Sequence, residues 1–252
     1  MAKMTLLEIV QDILNDMDSD IVNSIDDTIE SQQVAQIVKT CYHELIDHRN
    51  WPHLKKLIQL DAVNDLSKPT YLKIPNEMKE LILFKYETQK NDVTKIEQTE
   101  VRYKEPDAFL RYISQRNSDQ PQTIEVVDFS GVRLLINNNA APQFWTTFDD
   151  LHLVCDSYDS TVDDTLKQSK TQALAYMEPV WEHLNDAIPD LPSEAFSSLL
   201  EEAKSTAFFT LKQMVNVKSE QKANRQKTWL SRKAWRVHGG VQYADFGRKG
   251  RR

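Results

Sequence analysis

This chain of 252 residues predicts an α+β fold: two N-terminal helices and a long C-terminal helix, a β-rich region between them, and an extended basic C-terminal arm. Three observations predict it. Apolar residues recur at helical spacing near both ends of the chain. Between them lie short runs rich in branched and aromatic residues, punctuated by Asn, Asp, Ser and Pro. After Val217 the apolar period fails while Lys, Arg and Gly accumulate.

The first helix opens at Thr5, with Glu8 as its capping-box partner and Met4 placed to staple onto Ile9. Its apolar stripe is Leu6, Ile9, Val10, Ile13, Leu14 and Met17. A second helix follows Ser24, with Asp27 in the box position and a stripe of Ile29, Val34, Ile37, Val38, Cys41 and Leu45. It ends near Trp51-Pro52. KKLIQLDAV, TYLKIP, ELILFKYE and KIEQTEVRYK then read as strands, and EPDAFLRYISQRN, from Glu105, as a short helix. TIEVVDFSGVRLLINN is a hairpin that turns at Asp128 to Gly131, and LHLVCDSYD, from Leu151, is a further strand. KTQALAYME fits a strand better than a helix, because Pro179 would interrupt a helix there. Pro192-Ser193 opens the last helix, striped by Phe196, Leu199, Leu200, Ala203, Ala207, Leu211 and Met214. The segments are therefore 1–54 (N-terminal helices), 55–180 (β-rich insertion), 181–217 (C-terminal core helix) and 218–252 (basic arm).

Composition narrows the function classes. No run approaches the ~20 apolar residues that span a bilayer, and Glu8 and Asp12 interrupt the start too early for a signal-peptide core. The two cysteines, Cys41 and Cys155, read as buried thiols of a reducing compartment. A soluble protein made in a cytoplasm is the expectation. Charge is unevenly spread: from Lys218 onward eleven Lys and Arg face two acids, although the whole chain carries −7. Of five glycines, only Gly131 precedes the arm.

Signatures of catalysis are scarce. With so little glycine before the arm there is no phosphate-cradling loop, dinucleotide fingerprint or nucleophile elbow. His43 and His48 stand five apart, which rotates them by roughly 140° on a helix and keeps them from sharing a metal. Acids cluster at Asp149, Asp150, Asp156, Asp159, Asp163 and Asp164, without the glycine a calcium loop needs. They read as a solvated acidic face; use as paired carboxylates of a hydrolase is the minor alternative. No catalytic residue, metal or cofactor is assigned.

The arm has three readings. Lysines and arginines on phosphates, with Trp229 and Trp235 stacking on bases, would make it a nucleic-acid binder. A membrane-surface helix needs a continuous apolar face, for which Leu230 and Ala234 are too little. Docking on another protein suits a segment rich in Trp and Arg, and the series continues at Tyr243 and Phe246.

Three stretches carry a resemblance: Asn23 to Leu54 (NSIDDTIESQQVAQIVKTCYHELIDHRNWPHL), Ile188 to Asn216 (IPDLPSEAFSSLLEEAKSTAFFTLKQMVN), and Gln226 to Arg252 (QKTWLSRKAWRVHGGVQYADFGRKGRR). On these the chain resembles the head-to-tail adaptor (connector) proteins of tailed, especially short-tailed, bacteriophages. The strand-rich middle matches in texture only, and none of the stretches is a catalytic signature. The resemblance implies a helical core of the two N-terminal helices and the long C-terminal helix. It also implies an inserted β region, roughly Leu57–Glu178, facing the tail nozzle or fibres. It implies a ring, commonly a dodecamer, beneath the portal. The C-terminal extension would bind the portal through Trp229, Leu230, Arg232, Lys233, Trp235, Arg236, Tyr243 and Phe246. The acidic excess would line a DNA channel, with Asp149, Asp150 and Asp156 as candidate channel-facing acids, so that genomic DNA passes without specific binding. The implied location is the virion, and the host cytoplasm during assembly, with no membrane partner. Some related connectors are credited with cell-wall hydrolysis, for which no residue here is marked.

Overall fold

A computed structural model describes residues 3–48, 50–88 and 97–237. The chain divides into two compact units: Met1–Leu54 together with Pro179–Arg252, and Lys55–Glu178. The first unit is helical and the second holds all the described strands.

In the helical unit, α1 (Leu6–Asp16) begins with the capping box that its sequence specifies. The Thr5 hydroxyl accepts from the Glu8 N–H at 3.2 Å, and the Glu8 carboxylate accepts from the Thr5 N–H at 2.8 Å. The whole predicted stripe is buried. α2 (Ile29–Asp47) starts four residues after the expected point. The Asp27 carboxylate accepts from the Asn23 and Ser24 N–H groups and closes a turn; Thr28 and Ser31 then form the box that opens the helix. Starting there leaves Ile29 on the solvent side, while Val34, Val38, Cys41 and Leu45 face inward. At 3.6 residues per turn, Ile29 points well away from that stripe.

The expected core of two N-terminal helices and one long C-terminal helix is corrected here. The C-terminal region holds two helices, α4 (Phe196–Lys212) and α5 (Val217–Val237); α3 (Pro106–Ile113) belongs to the other unit. Gln213 breaks the run by adopting the left-handed conformation (φ 53°). Its N–H and that of Met214 both donate to the Phe208 carbonyl, a glycine-type helix stop made without glycine. Met214, predicted to lie on the apolar stripe, is therefore exposed. The Asn216 side chain accepts from the Ser219 N–H and starts the next helix. The first 20 residues of the expected extended arm are thus helical.

The β-rich region forms three sheets among the described residues. β1 (Lys55–Ile58), β2 (Asp61–Ala62), β3 (Tyr71–Lys73), β4 (Met78–Glu87), β5 (Gln98–Glu100) and β6 (Arg102–Tyr103) precede α3 (Pro106–Ile113). They are followed by β7 (Thr123–Val127), β8 (Arg133–Asn137), β9 (Phe144–Thr147), β10 (His152–Cys155) and β11 (Thr171–Met177). One antiparallel sheet runs β1-β11-β4-β5, a second runs β2-β3-β10-β9-β6 with β6 and β9 parallel, and β7-β8 stands as a hairpin. Its turn follows the sequence: Gly131 takes φ 84° and the Asp128 carboxylate accepts from both the N–H and the hydroxyl of Ser130. Leu60, Tyr71, Leu72, Phe84, Phe109 and Leu153 lie at the centre of this unit's core. The two buried thiols fall one in each unit, Cys41 on α2 and Cys155 on β10. No helix among the described residues is long and apolar enough to cross a membrane.

Candidate docking helix and acidic turn

α5 is a helix of low hydropathy lying antiparallel to α4. Lys222 meets Glu201 at 2.8 Å, and the Gln226 amide donates to the Ser197 hydroxyl, so the partners run in opposite order. Lys227 pairs with Glu202 at 3.0 Å. Only Ser219, Ala223 and Leu230 are fully buried along its described side chains. Their spacing of four and seven residues draws one narrow line along the helix.

That line separates the predicted docking residues. Leu230 is 5% exposed and is removed from the docking set, because its side chain is already used inside this chain. Trp229, one position earlier and therefore about 100° around the axis, is 50% exposed. Lys218, Gln221 and Arg225 are exposed on the same side as Trp229. Arg232 and Arg236 continue that side by spacing, while Lys233 and Trp235 flank it on the helix. The side chains of these four lie outside what the structure describes. Tyr243 and Phe246 lie outside the described residues altogether.

The candidate channel acids also part company. Asp149 and Asp150 make the turn between β9 and β10. The Asp149 carboxylate accepts from the Leu151 and His152 N–H groups and meets His152 Nδ1 at 2.6 Å. Partial burial opposes its ionisation, but the hydrogen bonds from the His152 ring and from the two N–H groups outweigh this and hold its carboxyl below the usual range. Asp150 is exposed at φ 57°, donating its N–H to the Thr147 hydroxyl.

Asp156 is corrected outright: it is 2% exposed and cannot face a channel. One carboxylate oxygen accepts from the Gln143 and Phe144 N–H groups, both at 2.9 Å. The other meets Arg116 Nη2 at 2.9 Å. Arg116 Nη1 donates in turn to the carbonyls of Leu135 and Asp156, which joins the middle of β8 to the residue that follows β10. A buried charge survives only when paired and hydrogen-bonded in this way, so Asp156 has a structural role.

Sequence reasoning missed the surroundings of Asp149. Phe129, exposed at the tip of the β7-β8 hairpin, stacks on the His152 ring at 4.2 Å and 25°, and Lys68 Nζ sits 4.8 Å from the Phe129 centroid. An Asp–His pair resembles half of a nucleophile-activating triad. No hydroxyl or thiol among the described residues is hydrogen-bonded to this ring, however, so the pair orders a turn. Nor do any three His, Cys, Asp or Glu side chains among the described residues form a group able to hold a metal ion.

No family model matches the chain when it is compared with known protein families, and no curated protein matches it.

Proposed function

We propose that this chain is a structural, non-enzymatic protein of a tailed-phage virion, an adaptor whose copies form a ring joining the portal to the tail or nozzle proteins. By the resemblance, that ring is a dodecamer through which genomic DNA passes without specific binding. The observation that supports it best is the outer side of α5. A half-exposed tryptophan, with the exposed cations Lys218 and Arg225 on its side, lies away from the buried line, on a helix that itself carries seven of the eleven cations after Val217. Trp and Arg together are the residue types most enriched at binding hot spots. The docking set becomes Trp229, Arg232, Lys233, Trp235 and Arg236 on the helix, with Tyr243 and Phe246 beyond it. Of the channel acids, Asp149 and Asp150 stay in the proposal. Virion location, and host cytoplasm during assembly, belong to the same reading.

The test mixes purified portal rings with the full chain and with the Trp229→Ala variant. A pocket-filling tryptophan contributes about 2 kcal/mol or more, so binding should weaken ~30-fold. Equal binding by both proteins would remove Trp229 as an anchor, and no binding by the full chain would remove the adaptor reading.

The eleven cations from Lys218 onward favour one second reading, a DNA-binding arm. If they neutralise about 6–10 phosphates, affinity falls ~10³–10⁵-fold between 50 and 200 mM salt. The adaptor reading expects only weak, non-specific binding in that titration.

A further inference from the structure

A groove lies open beside α1 in the helical unit. Its two sides are the helix itself and the loop at 19–22, and its volume is about 600 Å³. The loop is held in place. Left-handed Asp18 (φ 55°) follows α1, and the Ser19 N–H donates back to the Leu14 carbonyl at 3.0 Å. The Gln11 amide donates to the Val22 carbonyl at 2.8 Å, which ties the loop to the helix. Met4, Leu14 and Val22 give the groove an apolar lining, joined by Ile21 at 93% exposure. Three acids of the lining, Glu8, Asp12 and Asp20, face one cation, Lys3. Asp12 is shared with Lys204, so Glu8 and Asp20 are the exposed acids of the groove.

We propose that residues 238–252 of the same chain occupy this groove in the free protein. Complementary chemistry is the first argument. That segment, HGGVQYADFGRKGRR, holds the cations Arg248, Lys249, Arg251 and Arg252 against one acid, Asp245. Val241, Tyr243 and Phe246 match the apolar lining, and the cations that follow match the exposed acids. The same acids disfavour nucleic acid or an anionic lipid surface in this place.

Reach is the second argument. α5 lies antiparallel to α4 with Gln226 beside Ser197, while α1 meets α4 where Lys204 bridges Asp12 and Asp16. At 1.5 Å per residue, Val237 lies about 27 Å along α4 from the level of Asp12. The start of α1 points the same way as the end of α5, since the Leu6 N–H donates to the Ala187 carbonyl, ahead of α4. Fifteen extended residues span up to ~50 Å, enough to cover the gap and lie along the groove. A tether of this length also sets a local concentration on the order of millimolar. The chain's own segment therefore outcompetes that of a second copy at ordinary concentrations. The inference goes beyond the adaptor reading and does not rest on it. Its consequence is that Tyr243 and Phe246 must leave the groove before they can dock elsewhere.

Photo-cross-linking of the full chain tests it, with benzoylphenylalanine placed at Phe246 or, separately, at Tyr243. The expected product joins the 238–252 segment to residues 3–22 within one chain and keeps the 29.3 kDa mass of a monomer. The double variant Asp20→Lys, Ile21→Glu should lower its yield about fivefold or more, as loss of one apolar and one charge contact implies. Both of those residues are exposed, so circular dichroism and melting temperature should stay at their starting values. Absence of a cross-link to residues 3–22 from either position overturns the proposal. So does a product formed only between two chains, which would disappear on dilution, or a yield unchanged in the double variant.

Discussion

Replacing Asp156 with alanine distinguishes a structural carboxylate from a channel-lining one. The substitution removes the counter-ion of Arg116 and the acceptor for two backbone N–H groups, at Gln143 and Phe144. Both charged side chains are largely buried, Asp156 at 3% exposure and Arg116 at 10%. Breaking a buried pair from one side costs about 3–5 kcal/mol, and each stranded buried donor about 1–3. Arg116 keeps its bonds to the Leu135 and Asp156 carbonyls, which argues against adding these in full. The expected loss is about 3–5 kcal/mol, a large part of the 5–15 kcal/mol of a typical domain. Trp145 is the only tryptophan between Lys55 and Glu178, so in a background with the other four tryptophans replaced by phenylalanine its fluorescence in a urea titration reports this unit. Asp156→Asn keeps an acceptor for the two N–H groups and should cost less than alanine. Pairing Asp156→Ala with Arg116→Met should reveal a coupling of about 1 kcal/mol or more. A solvent-facing acid would change stability by about 0.5 kcal/mol or less. A midpoint shift that small for Asp156→Ala, or strict additivity in the cycle, would refute the reasoning.

Three further outcomes are expected. Lys204, which bridges Asp12 at 2.7 Å and Asp16 at 2.6 Å, has its pKa raised: burial lowers it, but the hydrogen bonds to the two carboxylates outweigh this. Its stabilising contribution is complete below the ordinary lysine value and is lost as pH rises through the raised one. Lys204→Met should therefore cost about 1–2 kcal/mol at neutral pH, after allowing for solvent around the acids, and the deficit should shrink in strong alkali. Asp149, with its carboxyl held down, contributes stability above the ordinary aspartate value that disappears as pH falls through the lowered one. Asp149→Asn should accordingly melt lower than the parent at neutral pH and converge with it in acid. Burial pushes the Cys41 thiol up to about 11, despite its hydrogen bond to Thr206. About one thiol in a thousand is then ionised at pH 8, so iodoacetamide should label Cys41 only on unfolding; rapid labelling of the native protein would contradict its burial.

Several elements were readable because their causes are local. The Thr5–Glu8 box, the Asp128–Gly131 turn and the strand at KTQALAYME each rest on neighbouring residues or on the period of one short segment. The misplaced start of α2 shows the limit of such reading. Ser24 with Asp27 and Thr28 with Ser31 are both plausible boxes, and the second prevails where Ser31 also donates to the Ile25 carbonyl and is buried. β9 escaped notice for a related reason: FWTT has little pattern of its own and is a strand because β10 and β6 flank it.

What the sequence settled alone was the segregation of charge, the caps and turns, and the apolar stripes of α1 and α4 up to Gln213, all matters of residues within a few positions of one another. The tertiary structure decided which polar side chains are spent inside the molecule. Whether an aspartate is a surface charge or a core link depends on an arginine forty positions away, as for Asp156 and Arg116. Whether a polar stretch stays helical depends on a partner such as the Ser197–Glu202 edge of α4, against which α5 lies. The physical reason is that desolvation depends on everything packed around a group, and sequence spacing records only the part of those surroundings that the chain supplies nearby.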